Sequence, residues 1–277
     1  MKKNIGFLFV IPSLVGLVIF YIIPSFDILL RSFMKNGFSN FIGLYNYETV
    51  IQNKAFQMAV LNTLRLMLVC IPLLVLLSLL IIMIFEFNSS LTKLIKNLFM
   101  LPLAIPVTSV ALLWEFCFNR SGLLNSFLDI FKIDAIDWMN SKHSFYILVF
   151  IYIWRNIGYC TVLWLAGLSA ISVSIVEAAK VDGANKLICM IKIKLPNLSR
   201  TLYIILVLSI INLFKVFREI YLITGNYPHK SIYLMQNIFN NWFVDLEIGK
   251  LSAGAEIFFV LTIITIAICL VTIKRKE

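Results

Sequence analysis

Charged residues are scarce in this sequence. Asp, Glu, Lys and Arg together make up 14% of its 277 residues, whereas 61% are hydrophobic. A soluble domain has roughly a quarter of its residues charged and about half apolar. This shortage, with a mean hydropathy of +0.94, excludes an ordinary soluble domain and indicates a polytopic membrane protein.

The residues that build catalytic and metal sites are also rare. The chain has two histidines, far apart, and five cysteines with neither a CxxC pair nor metal-site spacing. It has no Walker A loop, no HExxH or GxSxG motif, and no pair of carboxylates within one apolar run. We therefore expect no enzyme activity, no bound cofactor and no ATP site in this chain. An intramembrane enzyme is the weakest alternative because it lacks a catalytic pair.

Long uncharged runs are abundant instead, and each approaches the roughly 20 residues that cross a bilayer as a helix. They predict an all-α fold in which residues 1–277 form a single transmembrane domain of six helices. The predicted spans are residues 5–26, 66–85, 97–114, 144–172, 201–223 and 251–273. The first run is too long for a signal peptide and no cleavage motif follows it, so we expect it to be retained.

Lysine and arginine concentrate at both ends of the chain and in residues 173–198. Basic residues favour the cytoplasmic side of a membrane. Because six spans place both termini on the same side, we predict cytoplasmic N- and C-termini. The segment at residues 173–198, between the fourth and fifth predicted spans, then becomes a cytoplasmic loop.

This loop combines helix-forming residues with turn signals. Gly183 divides two helical stretches, and only glycine turns freely at positive φ. Pro196 is expected to end the second stretch, since the residue before a proline avoids the helical region. The pattern predicts a helix–turn–helix. It fits either an amphipathic loop lying on anionic lipid or a projection that docks on another protein.

The loop sequence EAAKVDGANKLICMIKIKLPNL resembles the EAA loop of binding-protein-dependent ABC importer permeases. The matching positions are Glu177, Ala178, Ala179, Asp182, Gly183, Ala184, Ile193, Leu195 and Pro196. Further similarity to the carbohydrate importers lies in FIGLYNY (41–47), LNTL (61–64), GLLN (122–125), IDW (136–138) and LAGLSAI (165–171). The N-terminal run is similar to the MalF/UgpA-type subunit. TGNYP (224–228) departs from the family's usual turn, which leaves the geometry of that outer loop open.

The resemblance implies a permease subunit in the bacterial plasma membrane. It implies three protein partners besides the lipid bilayer: a second permease subunit, a cytoplasmic ATPase dimer that binds the ATP, and an extracellular or periplasmic solute-binding protein. No nucleic acid is expected to bind. The residues that the resemblance assigns to ATPase coupling are Glu177, Ala178, Ala179, Asp182, Gly183, Ala184, Leu195 and Pro196.

Polar residues in the fourth and fifth predicted spans form a candidate substrate pathway, since ionisable groups inside a span usually face a cavity. They are Arg155, Asn156, Tyr159, Asn212, Lys215, Arg218 and Glu219. Lys215 and Glu219 are four residues apart and could pair on one helix face. Alternatively, these long side chains snorkel to the outer headgroups. Members of the family more often have neutral or acidic residues at positions 215 and 218, so the basic pair suggests an acidic or phosphorylated sugar.

Two alternative functions fit the same sequence. The same architecture could import a solute that is not a sugar, such as a polyamine or an inorganic anion. A stand-alone secondary transporter or channel would have the same apolar runs but would need no ATPase.

Overall fold

A computed structural model describes residues 5–35, 40–87 and 101–274, most of which are helical. The helices are α1 (Ile5–Leu17), α2 (Ile23–Ser32), α3 (Tyr45–Gln52), α4 (Lys54–Phe87), α5 (Val107–Phe118), α6 (Leu123–Ile130), α7 (Ser144–Ser169), α8 (Val173–Val181), α9 (Lys186–Ile188), α10 (Leu195–Asn197), α11 (Ser199–Lys215), α12 (Phe217–Thr224), α13 (Met235–Val244) and α14 (Ile248–Lys274). π-Helical turns occupy Val18–Ile22 and Cys189–Lys194, and a 3₁₀ turn occupies Lys230–Ile232.

One antiparallel hairpin, β1 (Met34–Lys35) and β2 (Asn40–Phe41), interrupts the helical fold. It pairs Met34 with Phe41 and Lys35 with Asn40. The all-α prediction missed this hairpin because two-residue strands leave no detectable alternation of polar and apolar residues.

Five helical segments of the described chain are long and apolar enough to cross a bilayer. They are Phe9–Ser32, Lys54–Phe85, Ser144–Ser169, Ser199–Thr224 and Ile248–Val271. Each overlaps one of the six predicted spans, which supports a polytopic membrane protein.

The helices do not end where the apolar runs end. The second predicted span begins at residue 66, but α4 begins at Lys54, because charged residues such as Arg65 are good helix formers outside the hydrocarbon. The first predicted span ends at residue 26, whereas helical structure continues to Ser32. Hydropathy therefore locates the apolar part of each helix rather than its ends.

The predicted third span, residues 97–114, is interrupted. Residues 97–100 lie outside the described residues, residues 101–104 are helical, and α5 begins at Val107. Pro106 separates the two pieces with φ of −55° and ψ of 143°. Proline has no N–H to donate and pushes the preceding residue out of the helical region. The hydropathy pattern could not reveal this break because the run is uncharged throughout.

One compact unit consists of residues up to Met58 together with Ile238–Ile264. Asn46, from the FIGLYNY stretch, is buried there and donates hydrogen bonds to the carbonyl oxygens of Ser32 and Met34, each at 2.9 Å. A Cβ atom on Gly249 would lie 2.7 Å from the Asn46 amide nitrogen. The asparagine therefore fixes the segment that follows α2 and requires a glycine opposite it.

The second unit contains Ala59–Asn237 and the residues from Thr265 onward. Its core buries the aromatic side chains of α7 against α4 and α11. The Tyr152 hydroxyl donates to the Ser209 carbonyl at 2.8 Å, and Trp164 Nε1 donates to Ser78 Oγ at 3.0 Å. Polar atoms at membrane depth need such internal partners because no water is available to them.

The LNTL stretch on α4 holds the 230–235 segment in place. The Asn62 amide donates to the carbonyl oxygens of Lys230 at 2.7 Å and Tyr233 at 3.0 Å. Thr63 Oγ1 accepts a hydrogen bond from the Met235 backbone N–H at 3.1 Å. These bonds satisfy backbone groups that lie outside regular helices.

Asn125 joins the GLLN and IDW stretches. Its buried amide nitrogen donates to the carbonyl oxygens of Arg120 at 3.0 Å and Ile136 at 2.8 Å. Its oxygen accepts from the Ile136 backbone N–H at 3.1 Å and from Trp138 Nε1 at 2.9 Å. One side chain thus links the beginning of the segment between α5 and α7 to its end.

Replacing this amide should destabilise that segment. We expect Asn125→Ala to leave several buried polar groups unpaired and to lower the free energy of unfolding by roughly 2–4 kcal/mol. Thermal unfolding of the purified protein in detergent measures the loss. Asn140→Ala is the matched control, because Asn140 is exposed in the same segment and, within the described chain, its side chain bonds only to Asp137. Equal unfolding midpoints for the two variants would contradict the assignment.

Candidate functional site

Six of the seven predicted pathway residues meet around one cavity of about 160 Å³. The cavity lies between α7, the junction of α11 with α12, and the start of α5. Its lining residues are Leu103, Val107, Arg155, Asn156, Asn212, Lys215, Val216, Arg218 and Glu219. We call this cavity the polar pocket. Tyr159, the seventh, does not line it and packs half-buried against the core one turn further along α7.

A buried ion pair crosses the polar pocket. Arg155 on α7 donates a hydrogen bond from Nη1 to Oε1 of Glu219 on α12. The Glu219 side chain is 3% exposed and that of Arg155 is 20% exposed. Among the described residues, Glu219 Oε2 is buried without a hydrogen-bond partner. Because a buried carboxylate is costly unless paired, Arg155 is the counter-ion that allows Glu219 to lie here.

The predicted pairing of Lys215 with Glu219 was wrong. Lys215 Nζ instead donates to Asn212 Oδ1 at 3.0 Å. The sequence spacing suggested one continuous helix, but α11 ends at Lys215 and α12 begins at Phe217, with Val216 as a turn between them. Glu219 pairs with Arg155 of α7 instead.

The polar pocket carries more positive than negative charge. Glu219 forms its salt bridge with Arg155, while Lys215 and Arg218 are exposed and form no salt bridge among the described residues. Besides Glu219 Oε2, two side-chain amide atoms that line the pocket lack a partner in the described chain. They are Asn156 Oδ1 and Asn212 Nδ2, since Asn156 Nδ2 donates to the Tyr152 carbonyl and Asn212 Oδ1 accepts from Lys215. The pocket can therefore offer positive charge, one amide donor and one amide acceptor.

The loop between α7 and α11 turns at Gly183, whose φ is +85°. The Gly183 N–H donates to the Lys180 carbonyl at 3.1 Å, and the Ala184 N–H donates to the Ala179 carbonyl at 2.9 Å. This pair of bonds is a Schellman motif, which ends α8 and favours glycine at the first residue past the helix. Asn185 then begins α9, its Oδ1 accepting from the Ile188 N–H at 2.8 Å.

Most of the predicted coupling residues face outward on this loop. Glu177, Ala178, Asp182, Gly183, Leu195 and Pro196 are exposed, whereas Ala179 and Ala184 are half-buried. Apolar side chains are exposed beside them, including Val181 at 88% and Ile191 at 49%. The loop therefore presents a mixed apolar and charged surface that the rest of the described chain does not cover.

The prediction that the helix stops before Pro196 was wrong. Leu195 has φ of −61° and ψ of −44°, and Pro196 lies in the first turn of α10. Helical structure runs from α9 through the π-helical turn into α10. The proline follows directly on the π-helical turn, where the regular i→i−4 hydrogen-bond pattern is already interrupted, so its missing N–H costs less there.

The inner face of the loop is anchored in the hydrophobic core. Met190, which is 1% exposed, and Leu198 belong to the same buried cluster as Trp164 and Ile205. Neither anchor can be recognised from the sequence. Both are apolar residues in a partly charged loop, and the sequence pattern does not show whether an apolar residue there faces inward or outward.

Gly167, in the LAGLSAI stretch, allows the two ends of the loop to approach closely. A Cβ atom at this position would lie 2.3 Å from Thr201 Oγ1 and 2.9 Å from Leu198 Cδ2. These distances are below any normal contact, so α7 and α11 pack here only because residue 167 has no side chain. The motif is recognisable in the sequence, but this contact is not, because it involves residues distant in the chain.

Comparison with known proteins identifies the chain. A family model described as the binding-protein-dependent transport system inner membrane component matches residues 39–273. The chain belongs to this family. The prediction of an importer permease from the EAA-like loop is therefore confirmed, and the chain is a transporter subunit with several membrane helices.

Relatives and a solved structure agree with this membership. The arabinooligosaccharides transport system permease protein AraP of Bacillus subtilis (strain 168) is 30% identical, with 99% of this chain and 88% of that protein covered. The sn-glycerol-3-phosphate transport system permease protein UgpA of Escherichia coli O6:K15:H31 (strain 536 / UPEC) is 29% identical, with 95% and 92% covered. A bacterial ABC transporter involved in the import of the acidic polysaccharide alginate has the same fold, with a TM-score of 0.82 at 22% identity over 99% of this chain and 96% of that chain.

A methyl group at position 167 should disturb the base of the loop. We expect Gly167→Ala to destabilise the protein by about 1–3 kcal/mol, because overpacking forces α7 and α11 apart. Adding Thr201→Ala removes the nearest clashing atoms and should restore most of the loss. Thermal unfolding in detergent compares these variants with Gly16→Ala, a control whose added Cβ meets nothing within 4 Å. A double variant no more stable than Gly167→Ala would overturn this account.

Proposed function

We propose that this chain is one of two permease subunits of a bacterial ABC importer that carries a sugar or sugar derivative across the plasma membrane. A second permease subunit completes the pathway, and an external solute-binding protein delivers the solute. A cytoplasmic ATPase dimer binds and hydrolyses ATP, so this chain performs no catalysis and binds no cofactor. Both termini and the α8–α10 loop lie on the cytoplasmic side.

The observation that carries this proposal is the two-sided construction of the α8–α10 loop. Its outer face exposes Glu177, Val181 and Asp182, while Met190 and Leu198 fasten its inner face to the core. A loop that merely lay on lipid would not need a rigid attachment to the membrane helices. The construction suits a part that receives a force from another protein and passes it on.

The coupling mechanism follows from this attachment. ATP binding closes the ATPase dimer and moves the docked loop. Because densely packed interiors transmit displacement, the movement reaches α7 through Gly167 and α11 through Thr201. Coupling also requires that the ATPase contact the loop differently in the two states of the importer. Glu177, Asp182 and the Gly183 turn are the groups best placed to provide that difference.

The polar pocket supports a solute with negative charge and hydroxyl groups. Lys215 and Arg218 attract an anionic group, and Arg can bind a carboxylate or phosphate through two hydrogen bonds. Asn156 and Asn212 offer an acceptor and a donor for hydroxyls. The volume of about 160 Å³ is below the roughly 300 Å³ of a small-molecule site, so the pocket holds one unit of the solute at a time. An acidic or phosphorylated sugar fits best.

The Gly183 turn provides a test of coupling. Gly183→Val should weaken ATP-driven uptake several-fold without preventing membrane insertion, because a β-branched residue is strained at φ of +85°. Apart from its chain neighbours, no atom of the described residues lies within 4 Å of the added Cβ, so within this chain the variant acts through backbone strain. The measurement is uptake per ATP hydrolysed by the whole importer in proteoliposomes.

The matched control for this test is Gly183→Asn, since asparagine adopts positive φ more readily than other residues with a side chain. We expect it to retain coupled uptake. Wild-type coupling in Gly183→Val, with normal assembly, would show that the turn plays no part in coupling.

The basic residues of the polar pocket provide a test of the solute. The double variant Lys215→Gln and Arg218→Gln should raise the concentration for half-maximal uptake of an acidic sugar by roughly tenfold or more, because charge-assisted hydrogen bonds are lost. Uptake of a uronic acid oligosaccharide is compared with that of its neutral reduced counterpart and of inorganic phosphate.

Lys142→Gln, which removes an exposed charge outside the polar pocket, is the control. Equal losses for acidic and neutral sugars would argue against recognition of charge. No loss for any solute would instead favour the snorkelling of Lys215 and Arg218 to headgroups. Uptake of inorganic phosphate alone would favour an anion importer.

A further inference from the structure

A second polar cavity, of about 530 Å³, lies beside the hairpin and the start of α14. We call it the hairpin pocket, because one of its residues lies on β1 and another directly follows β2. Its lining residues are Lys35, Ile42, Tyr45, Asn46, Glu247 and Lys250. All six belong to the compact unit that combines the chain up to Met58 with Ile238–Ile264. The proposed function uses none of them.

The hairpin pocket lies at the edge of the hydrocarbon layer. The membrane helix Phe9–Ser32 ends three residues before Lys35, and the membrane helix Ile248–Val271 begins two residues before Lys250. A bilayer has roughly 5–8 Å of headgroup region on each side of its hydrocarbon core. The pocket therefore lies at the depth of the lipid headgroups.

Hydrogen bonding and close packing hold the walls of this pocket in place. Asn46 donates to the carbonyl oxygen of Met34, the residue before Lys35, at 2.9 Å. A Cβ atom on Gly249, the residue before Lys250, would lie 2.7 Å from the Asn46 amide nitrogen and 2.9 Å from the Met34 carbonyl oxygen. One buried asparagine thus brings together the two segments that carry the lysines. The cavity is preformed, as ligand sites usually are.

The charges of the hairpin pocket suit an anion that also carries hydroxyl groups. Its two cations are Lys35 and Lys250, and Glu247 is the one acidic residue among its described lining residues. Lys250 Nζ donates to Glu247 Oε1 at 2.6 Å, yet the two side chains remain 31% and 37% exposed. An ammonium group has three donors, so Lys250 can still bind a phosphate oxygen. Glu247 and the Tyr45 hydroxyl can bond to hydroxyl groups of the same ligand.

A lysine near the end of a membrane helix does not by itself indicate a site, because its long side chain reaches the headgroup layer from many positions. Two observations distinguish Lys35 and Lys250. They line one cavity from different elements, and its volume lies in the range of roughly 300–1,000 Å³ that is typical of ligand sites. The exposed Lys54 and Lys142 line neither this cavity nor the polar pocket.

Exposed apolar side chains favour a lipid over a soluble anion as the ligand. Phe41 is 73% exposed, Leu44 68% and Tyr45 63%, and all three lie within three residues of Ile42 in the pocket wall. A soluble phosphate offers these side chains no apolar contact. A phospholipid carries its acyl chains next to its phosphate, so it can contact the apolar side chains and the lysines at once.

We propose that the hairpin pocket binds the headgroup of an anionic phospholipid that has headgroup hydroxyls, such as phosphatidylglycerol. Its phosphate contacts Lys35 and Lys250, and its glycerol hydroxyls contact Glu247 and Tyr45. The bound lipid ties the hairpin to the start of α14. This assignment requires only that the two helices cross the membrane, so it stands or falls independently of the importer proposal.

Lipid titration of the purified protein tests the assignment. The full-length chain, with the subunits that accompany it, is titrated in detergent with phosphatidylglycerol, and native mass spectrometry counts the bound lipids. The double variant Lys35→Gln and Lys250→Gln should raise the dissociation constant of one phosphatidylglycerol per chain by roughly tenfold or more, because charge-assisted hydrogen bonds are lost. Lys54→Gln with Lys142→Gln is the control, since it removes the same charge outside the pocket.

Glu247→Gln distinguishes headgroup recognition from attraction by charge alone. It removes a negative charge, so phosphatidylglycerol should still bind. Its preference over phosphatidic acid, which has no glycerol hydroxyls in its headgroup, should fall several-fold. An unchanged preference would overturn the assignment of the hydroxyls to Glu247.

Three results would overturn the lipid site itself. The first is a lysine double variant that binds phosphatidylglycerol as tightly as the wild type. The second is displacement of the lipid by inorganic phosphate at equal concentration, which would identify a site for a soluble anion. The third is a double variant that retains the lipid but no longer binds a solute-binding protein, which would make the pocket a protein docking surface.

Discussion

The ion pair between Arg155 and Glu219 constrains the helices that line the polar pocket. Neither charge would be stable alone at this depth, since removing one partner of a buried pair costs about 3–5 kcal/mol. The pair joins α7 to α12 and so fixes how these helices face each other. It also neutralises the most buried cation, which leaves the exposed Lys215 and Arg218 to determine the charge that a solute meets.

Helices α7 and α11 connect the polar pocket, which contains this ion pair, to the α8–α10 loop. On α7, Gly167 lies twelve residues after Arg155, a distance of about 18 Å along the helix. On the other side, Thr201 at the start of α11 packs against Gly167, and Asn212 and Lys215 at its end line the polar pocket. A displacement of the loop therefore acts on both walls of the pocket through continuous helices. The glycine contact holds the two helices together where that displacement enters.

Sequence alone predicted what depends on composition and on local chemistry. Uncharged runs located the membrane helices, and Asp182-Gly183 located the positive-φ turn. The sequence could not predict features that depend on contacts between residues far apart in the chain. Lys215 and Glu219 have the spacing of a helical pair, but a turn at Val216 and the arrival of Arg155 from α7 give Glu219 another partner.

The charges of the polar pocket favour some of the alternative solutes over others. At about 6 Å and an effective dielectric constant of about 20, each pair of unit charges interacts by about 3 kcal/mol. A polyamine would meet repulsion from Lys215 and Arg218, whereas an anion would be attracted. A fully ionised inorganic anion such as sulfate could use the free Asn212 donor but not the free Asn156 acceptor, because it carries no hydrogen at neutral pH. A sugar bearing a carboxylate or phosphate could engage the two exposed cations through its charge and both amides through its hydroxyls, which is why the proposal favours it.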